Sequence, residues 1–257
     1  SSIIDNKQIK SFQVVNRYFL YLCFDGSGYN GWQIQPNGIT VQEEIEKGLS
    51  VLLRSKTEIV GAGRTDAGVH AHIMIAHFDT ENEIDESTLC YKLNRFLPQD
   101  ISIKKIEKVD NDLHARFSAT SRTYHYYVHT GKDPFARAYS WATGYSLDFT
   151  QMNIAARTLI KTADFAAFCK SGSDVKTTFC IIKEACWIEI GEGRWCFRIT
   201  ANRFLRNMVR SIVGTLIEVG RGRMSVSQFE DVVKSRKRTN AGESMPANAL
   251  FLEDVKY

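Results

Sequence analysis

The residues best suited to chemistry gather in one run, Gly61-Ala62-Gly63-Arg64-Thr65-Asp66-Ala67-Gly68-Val69-His70-Ala71. Its glycines let a backbone take unusual dihedrals and approach a ligand closely. Arg64 and Asp66 put a cation and a carboxylate at the tip of the turn. A carboxylate so placed can attack an electrophilic carbon or move a proton. The same residues also make an ordinary tight turn in which Arg64 and Asp66 pair with each other, and chemistry alone does not choose. The run is not a phosphate-binding P-loop, because Gly-Lys-Ser/Thr is missing. His70-Ala71-His72, with His77 beyond, raises a metal site shared with Asp66. That reading is the weakest, since no further acidic partner is suitably spaced.

The elements around this run follow from periodicity. Arg17 to Phe24 reads as a buried strand, broken by Asp25-Gly26-Ser27-Gly28. Thr40-Val41-Gln42-Glu43 reads as a capping box, with Val41, Ile45, Leu49 and Leu52 on one helical face. A short strand is expected over Thr57–Val60, then the glycine-rich turn, then a strand over Ile73–Phe78. Leu89, Leu93 and Leu97 stripe a helix stopped at Pro98. Ile101, Ile103 and Ile106 open another strand. The order is β-α-β-β-α-β, the ferredoxin-like pattern. A strand over Arg122–Thr130 puts Tyr124, Tyr126 and Val128 on one side. Beyond it we expect a helix over Met152–Lys161, strands over Thr178–Ile190 and Arg194–Thr200, and a helix over Phe204–Val219. A capped helix from Ser225 to about Lys234 and a strand over Ala249–Val255 complete the chain.

The fold expected is α+β: two ferredoxin-like halves around a continuous, mainly antiparallel sheet with helices on one face. Residues 1–110 form the N-terminal half, which carries the glycine-rich loop, and residues 111–257 the C-terminal half. The 257 residues are 44% hydrophobic and 24% charged, enough for a real core and too apolar for disorder. Net charge is +4, which tolerates a nucleic-acid partner without demanding one. Its distribution says more. Arg203, Arg206, Arg210, Arg221, Arg223 and Lys234-Ser235-Arg236-Lys237-Arg238 concentrate positive charge late in the chain, among aromatics, as an RNA backbone would require. The six cysteines form no Cys-x-x-Cys pair and read as small buried hydrophobes. Ser1-Ser2-Ile3-Ile4-Asp5 does not read as a secretory leader, and no apolar run reaches the ~20 residues that cross a bilayer. The expectation is a reduced, cytoplasmic protein.

Gly63-Arg64-Thr65-Asp66-Ala67-Gly68-Val69-His70-Ala71 resembles the signature of the tRNA pseudouridine synthase A family. Other segments resemble that family in the same order. They are Asp25-Gly26-Ser27-Gly28-Tyr29-Asn30-Gly31-Trp32-Gln33, His114-Ala115-Arg116-Phe117-Ser118-Ala119 with Arg122-Thr123-Tyr124, and Asn207-Met208-Val209-Arg210-Ser211-Ile212-Val213-Gly214. The resemblance runs from about Phe19 to Leu252. It departs at Phe24, where the family often has Tyr, and at Ala249-Leu250, where Gly-Leu is usual.

The resemblance implies an enzyme that turns uridine into pseudouridine in the anticodon stem-loop of tRNA, at positions 38–40, without a cofactor. It implies Asp66 as the catalytic carboxylate and Arg210 as the arginine that pairs with it. It implies Tyr124 as an active-site tyrosine that stacks on uracil or moves a proton. Arg64 would fill the space left by an extruded base. Thr65 and Leu250 would stand near the base. A homodimer is implied, and no membrane. Two other readings stay open on residues alone: a non-catalytic RNA-binding sheet, and a metal-dependent hydrolase on His70, His72 and Asp66.

Overall fold

The computed structural model describes residues 14–257, so the reading of Ser1–Asp5 lies outside the described residues. The aromatic first segment forms β1 (Asn16–Phe24), with Tyr18, Leu20, Leu22 and Phe24 buried on one side. Thr40 caps α1 (Val41–Leu53), its hydroxyl accepting from the Glu43 N–H at 3.3 Å. The return bond of a capping box is not made. Glu43 turns instead to Lys47 one turn on, at 3.5 Å. The strand expected over Thr57–Val60 shrinks to β2 (Val60–Gly61). The cause lies in α1: Ser50 Oγ accepts from the Thr57 N–H, and Gln42 Nε2 donates to the Ile59 carbonyl. Side chains have taken the bonds a ladder would need. Then come β3 (His70–Thr80), α2 (Glu86–Phe96, ended at Leu97) and β4 (Ile101–Val109).

The second half holds β5 (Ser121–Thr130), β6 (Trp141–Thr143), α3 (Phe149–Thr158), β7 (Ile182–Gly191), β8 (Arg194–Ala201), α4 (Met208–Gly220), α5 (Val226–Ser235) and β9 (Leu250–Lys256). Two further sequence expectations are corrected, and one strand had none. The strand from Thr178 starts only at Ile182, because the backbone of 178–180 pairs with the loop at 163–165. The helix from Phe204 starts only at Met208, because Asn207 takes a left-handed conformation with φ 65°, which an Asn tolerates better than most residues. The three-residue β6 was too short to show any period.

In space the strands run β4-β1-β3-β9-β5-β8-β7, with β2 beside β3 and β6 beside β5. In each half the first strand sits between the fourth and the third, and the second lies beyond the third. The join between halves is brief and parallel, His70 opposite Phe251 and Ala71 opposite Leu252. The other neighbours are antiparallel except β5 with β6. One face carries the helices of both halves. Phe149 at the start of α3 stacks on Trp195 at 3.8 Å, and the Ile84 N–H before α2 donates to Tyr18 Oη at 3.2 Å. Tyr124, Tyr126 and Val128 of β5 face that side, as their spacing predicted, and are buried.

The opposite face is partly covered by the segment between β4 and β5. There the Ala115 N–H donates to His77 Nδ1 at 2.9 Å. Burial, then the nearby Arg17 charge, pushes the His77 imidazole down to about 4. The folded protein therefore holds His77 neutral where an unfolded chain protonates it. Stability from this group is present above about pH 6.5 and is lost as pH falls toward 4. We expect melting temperature to drop across that window, and to drop less in His77→Asn, whose Oδ1 keeps an acceptor without titrating. Equal slopes in both proteins would refute the assignment.

Candidate active site

The glycine-rich run leaves β2 and enters β3 as a loop whose backbone is tied at both ends. The Ala62 N–H donates to the Ile75 carbonyl at 2.8 Å, and the Val69 N–H to the Asp66 carbonyl at 3.1 Å. Gly68, at φ +82°, turns the chain between them. The segment after β1 is its cradle. Gly68 donates to the Tyr29 carbonyl, Trp32 donates to the Thr65 carbonyl, and the Gly26 N–H donates to His70 Nδ1 at 2.8 Å. Gly26 and Gly31 are glycines because a Cβ would run into the carbonyls of Val69 and Thr65 respectively. Gly26→Ala should therefore cost about 1–3 kcal/mol by overpacking and lower the melting temperature by several degrees. An unchanged melting curve would show that the cradle yields.

The floor under this loop is the helix-side face of β5. Three residues on it, spaced by two, are used differently. Arg122 donates to the carbonyls of Ala62, Arg116, Ala119 and Asn202 at 2.7–3.4 Å. Tyr126 donates to the Pro246 carbonyl at 2.9 Å. Tyr124, between them, is buried edge-on to Phe204 at 4.9 Å. Its hydroxyl makes no hydrogen bond among the described residues. Burial, and then the charge of Asp66, hold its phenol protonated well above the ordinary tyrosine range.

Asp66 meets Arg210 of α4 across the join of the halves, Nη1 to Oδ2 at 3.1 Å. Both side chains keep some exposure, 28% and 21%. The contact is single. The bidentate fork that chemistry allowed is not formed, because Arg210 Nε turns to the Met245 carbonyl at 2.7 Å. The Met245 N–H in turn donates to the Arg210 carbonyl at 3.1 Å. This segment lies tight on α4: a Cβ on Gly214 would strike the Glu243 carbonyl, and one on Gly242 the backbone of Gly214 and Thr215.

The other expected residues take up varied places. Arg64 is exposed and pairs with no carboxylate among the described residues, so the self-paired turn is not what forms. Thr65 Oγ1 is buried without a partner among the described residues. Leu250 is buried opposite Tyr126. Ala249 has no positive φ, so the departure from Gly there needs no strain. His70 and His72 do share a face of β3, both against Phe251 at 4.5–4.6 Å. Both nitrogens of His70 and the Nδ1 of His72 are already engaged, however. His70 bonds Gly26 and the Asn248 carbonyl, and His72 bonds Glu253 at 2.7 Å. Among the described residues no group of three or more His, Cys, Asp or Glu is placed to hold a metal. Much of the late positive charge is also committed. Arg221 and Arg223 share Glu218, Arg221 lies 3.6 Å over the Tyr145 ring, and Arg238 bonds the Gly242 carbonyl and Ser244. Cys169, Cys180 and Cys196 are buried, while Cys23, Cys90 and Cys186 are only partly so. Sequence reasoning gave Arg122 and Tyr126 no role in the site. Their spacing from Tyr124 was the available signal.

Comparison with known proteins gives a consistent picture. Residues 23–118 and 155–257 match the family described as tRNA pseudouridine synthase. The chain is 55% identical over 244 residues to tRNA pseudouridine synthase A of Bacteroides fragilis, covering 95% of this chain and 97% of the relative. It is 42% identical over 240 residues to the protein of that name from Bacillus subtilis, covering 92% of this chain and 97% of the relative. No helix among the described residues is long and apolar enough to cross a membrane.

Proposed function

Because the chain belongs to the tRNA pseudouridine synthase family and is an enzyme of that activity, we propose that Asp66 is its catalytic carboxylate and that its targets are uridines 38–40 of the anticodon stem-loop. The observation that carries the assignment is the Asp66–Arg210 contact beside an unpartnered, protonated Tyr124. The reaction breaks the N1–C1′ bond of uridine, turns the uracil, and rejoins it through C5. No electrons change hands, and no cofactor is needed.

Roles follow from position. Asp66 supports attack or proton removal while the glycosidic bond breaks. Arg210 holds the carboxylate in place with a charge-assisted hydrogen bond. Tyr124 presents a neutral hydroxyl and a ring face to the uracil, with Thr65 and Leu250 beside it. Arg64, exposed and without a bonding partner among the described residues, occupies the gap an extruded base leaves. A non-catalytic RNA-binding sheet does not fit a chain with these relatives, and the histidines of the hydrolase reading are bonded elsewhere.

Three further points belong to the same reading. The halves divide near residue 110, in the segment linking β4 to β5. The enzyme works as a homodimer, favoured by a helix-free sheet face that leaves Ile188 44% exposed. Its compartment is the cytoplasm, where a tRNA substrate is met. The test is mapping. Unmodified tRNA transcripts with uridines inside and outside the anticodon stem-loop are incubated with the enzyme and EDTA, and pseudouridine is located in each. Product confined to positions 38–40 is expected. Product elsewhere would sink the substrate assignment, and inhibition by EDTA would sink the metal-free mechanism.

A further inference from the structure

We propose that Arg122 is a positioning residue for the reaction: it sets the Asp66 loop against the second half through the Ala62 carbonyl and does not touch RNA. The inference rests on the reading of Asp66 as the catalytic carboxylate.

A guanidinium has five N–H donors in a fixed fork. In Arg122 all five are used. Nε and Nη2 both reach the Ala62 carbonyl, at 3.3 and 2.8 Å. The second Nη2 hydrogen goes to the Arg116 carbonyl at 2.7 Å. Nη1 reaches the carbonyls of Asn202 at 2.8 Å and Ala119 at 3.4 Å. No hydrogen is left for a phosphate or a base. The residue therefore differs in kind from the exposed Arg64.

The four carbonyls come from different places. Ala62 opens the catalytic loop, Arg116 and Ala119 precede β5, and Asn202 follows β8. One side chain thus joins the first half, the linking segment and the end of β8, the strand beside β5. Ala62 stands four residues before Asp66, and Arg122 stands two before Tyr124 on the same face of β5. A shift of Arg122 moves the carboxylate relative to the tyrosine.

The charge is part of the case. Arg122 takes only main-chain carbonyls and has no carboxylate within ion-pair reach among the described residues. Burial lowers its pKa, yet an arginine stays ionised at neutral pH. Carrying a part-buried cation without a counter-ion is costly, and a neutral side chain would tie loops with less penalty. A fixed positive charge close to Tyr124 favours negative charge as it develops there. Lysine has the charge without the fork.

The test uses the full chain with Arg122→Lys and Arg122→Gln, and Asp66→Asn alongside. Three quantities are read: single-turnover pseudouridine formation at saturating enzyme, tRNA affinity by filter binding, and thermal unfolding. A misplacement of about 1 Å can cost about 10²-fold in rate. We expect that loss in both Arg122 variants at temperatures where they are fully folded, with affinity within about twofold of the parent. An unchanged rate per folded molecule would reduce Arg122 to a structural tie and overturn the proposal. An affinity that falls in step with the rate would make it an RNA contact and do the same. If neither variant folds, Arg122 is a folding determinant and the proposal is lost. Full activity in Asp66→Asn would instead sink the reading beneath it, whatever Arg122 does.

Discussion

Asp66→Asn is expected to lower single-turnover pseudouridine formation by at least about 10³-fold while tRNA affinity stays within about twofold. Asparagine has nearly the same shape and keeps an oxygen that accepts from Arg210, so the loop need not move. What it loses is the charge that can attack carbon or take a proton. Removing a positioned acid–base group costs about 10²–10⁴-fold, and a nucleophile more. Stability should change little, because the Asp66–Arg210 pair is partly exposed and such pairs contribute roughly 0–1 kcal/mol. The loop also has backbone ties independent of the carboxylate. Asp66→Ala checks the same point without an amide in the site. Retention of more than a tenth of the parent rate in either variant would remove Asp66 from the chemistry.

The residues of this site were far easier to read from sequence than the contacts that hold them. Asp66 and Arg64 stood out because glycines beside a carboxylate violate the local regularity of strands and helices. Arg210 looked like any arginine on a helix, and only its likeness to a family motif singled it out. The strand face of Tyr124 followed from alternation, which has a fixed period and needs no tertiary knowledge. Gly26 and Gly214 are different. Their lack of a side chain serves carbonyls 43 and 29 residues away in sequence, and no local pattern encodes such an approach. The same reason hid Met245, which acts through its backbone. The sequence errors at 57–59 and 178–181 share a cause: side chains or another loop had taken the backbone hydrogen bonds that a strand would need. At 204–207 the left-handed Asn207 delays the helix instead.

Arg210→Met should lower the same rate by about 10²–10³-fold, the range seen when a preorganised donor to a developing charge is removed. Two jobs are lost together: the contact to Asp66 and the tie from Nε to the Met245 carbonyl. The second job predicts a stability cost of about 1–2 kcal/mol, read as a lower melting temperature. Arg210→Lys separates the two, since an ammonium can reach either oxygen but not hold both in one plane. It should recover part of the rate and little of the stability. The decisive measurement is the pair. If Arg210 works through the carboxylate, Asp66→Asn combined with Arg210→Met should be hardly slower than Asp66→Asn alone, because groups that act as a unit are not additive. If the two losses multiply, Arg210 serves the reaction elsewhere, and a fall in tRNA affinity would point to the RNA backbone as the place. A double variant that folds, binds tRNA like the parent and shows no additional loss would make the carboxylate and the guanidinium one catalytic device, built across the join of the two halves.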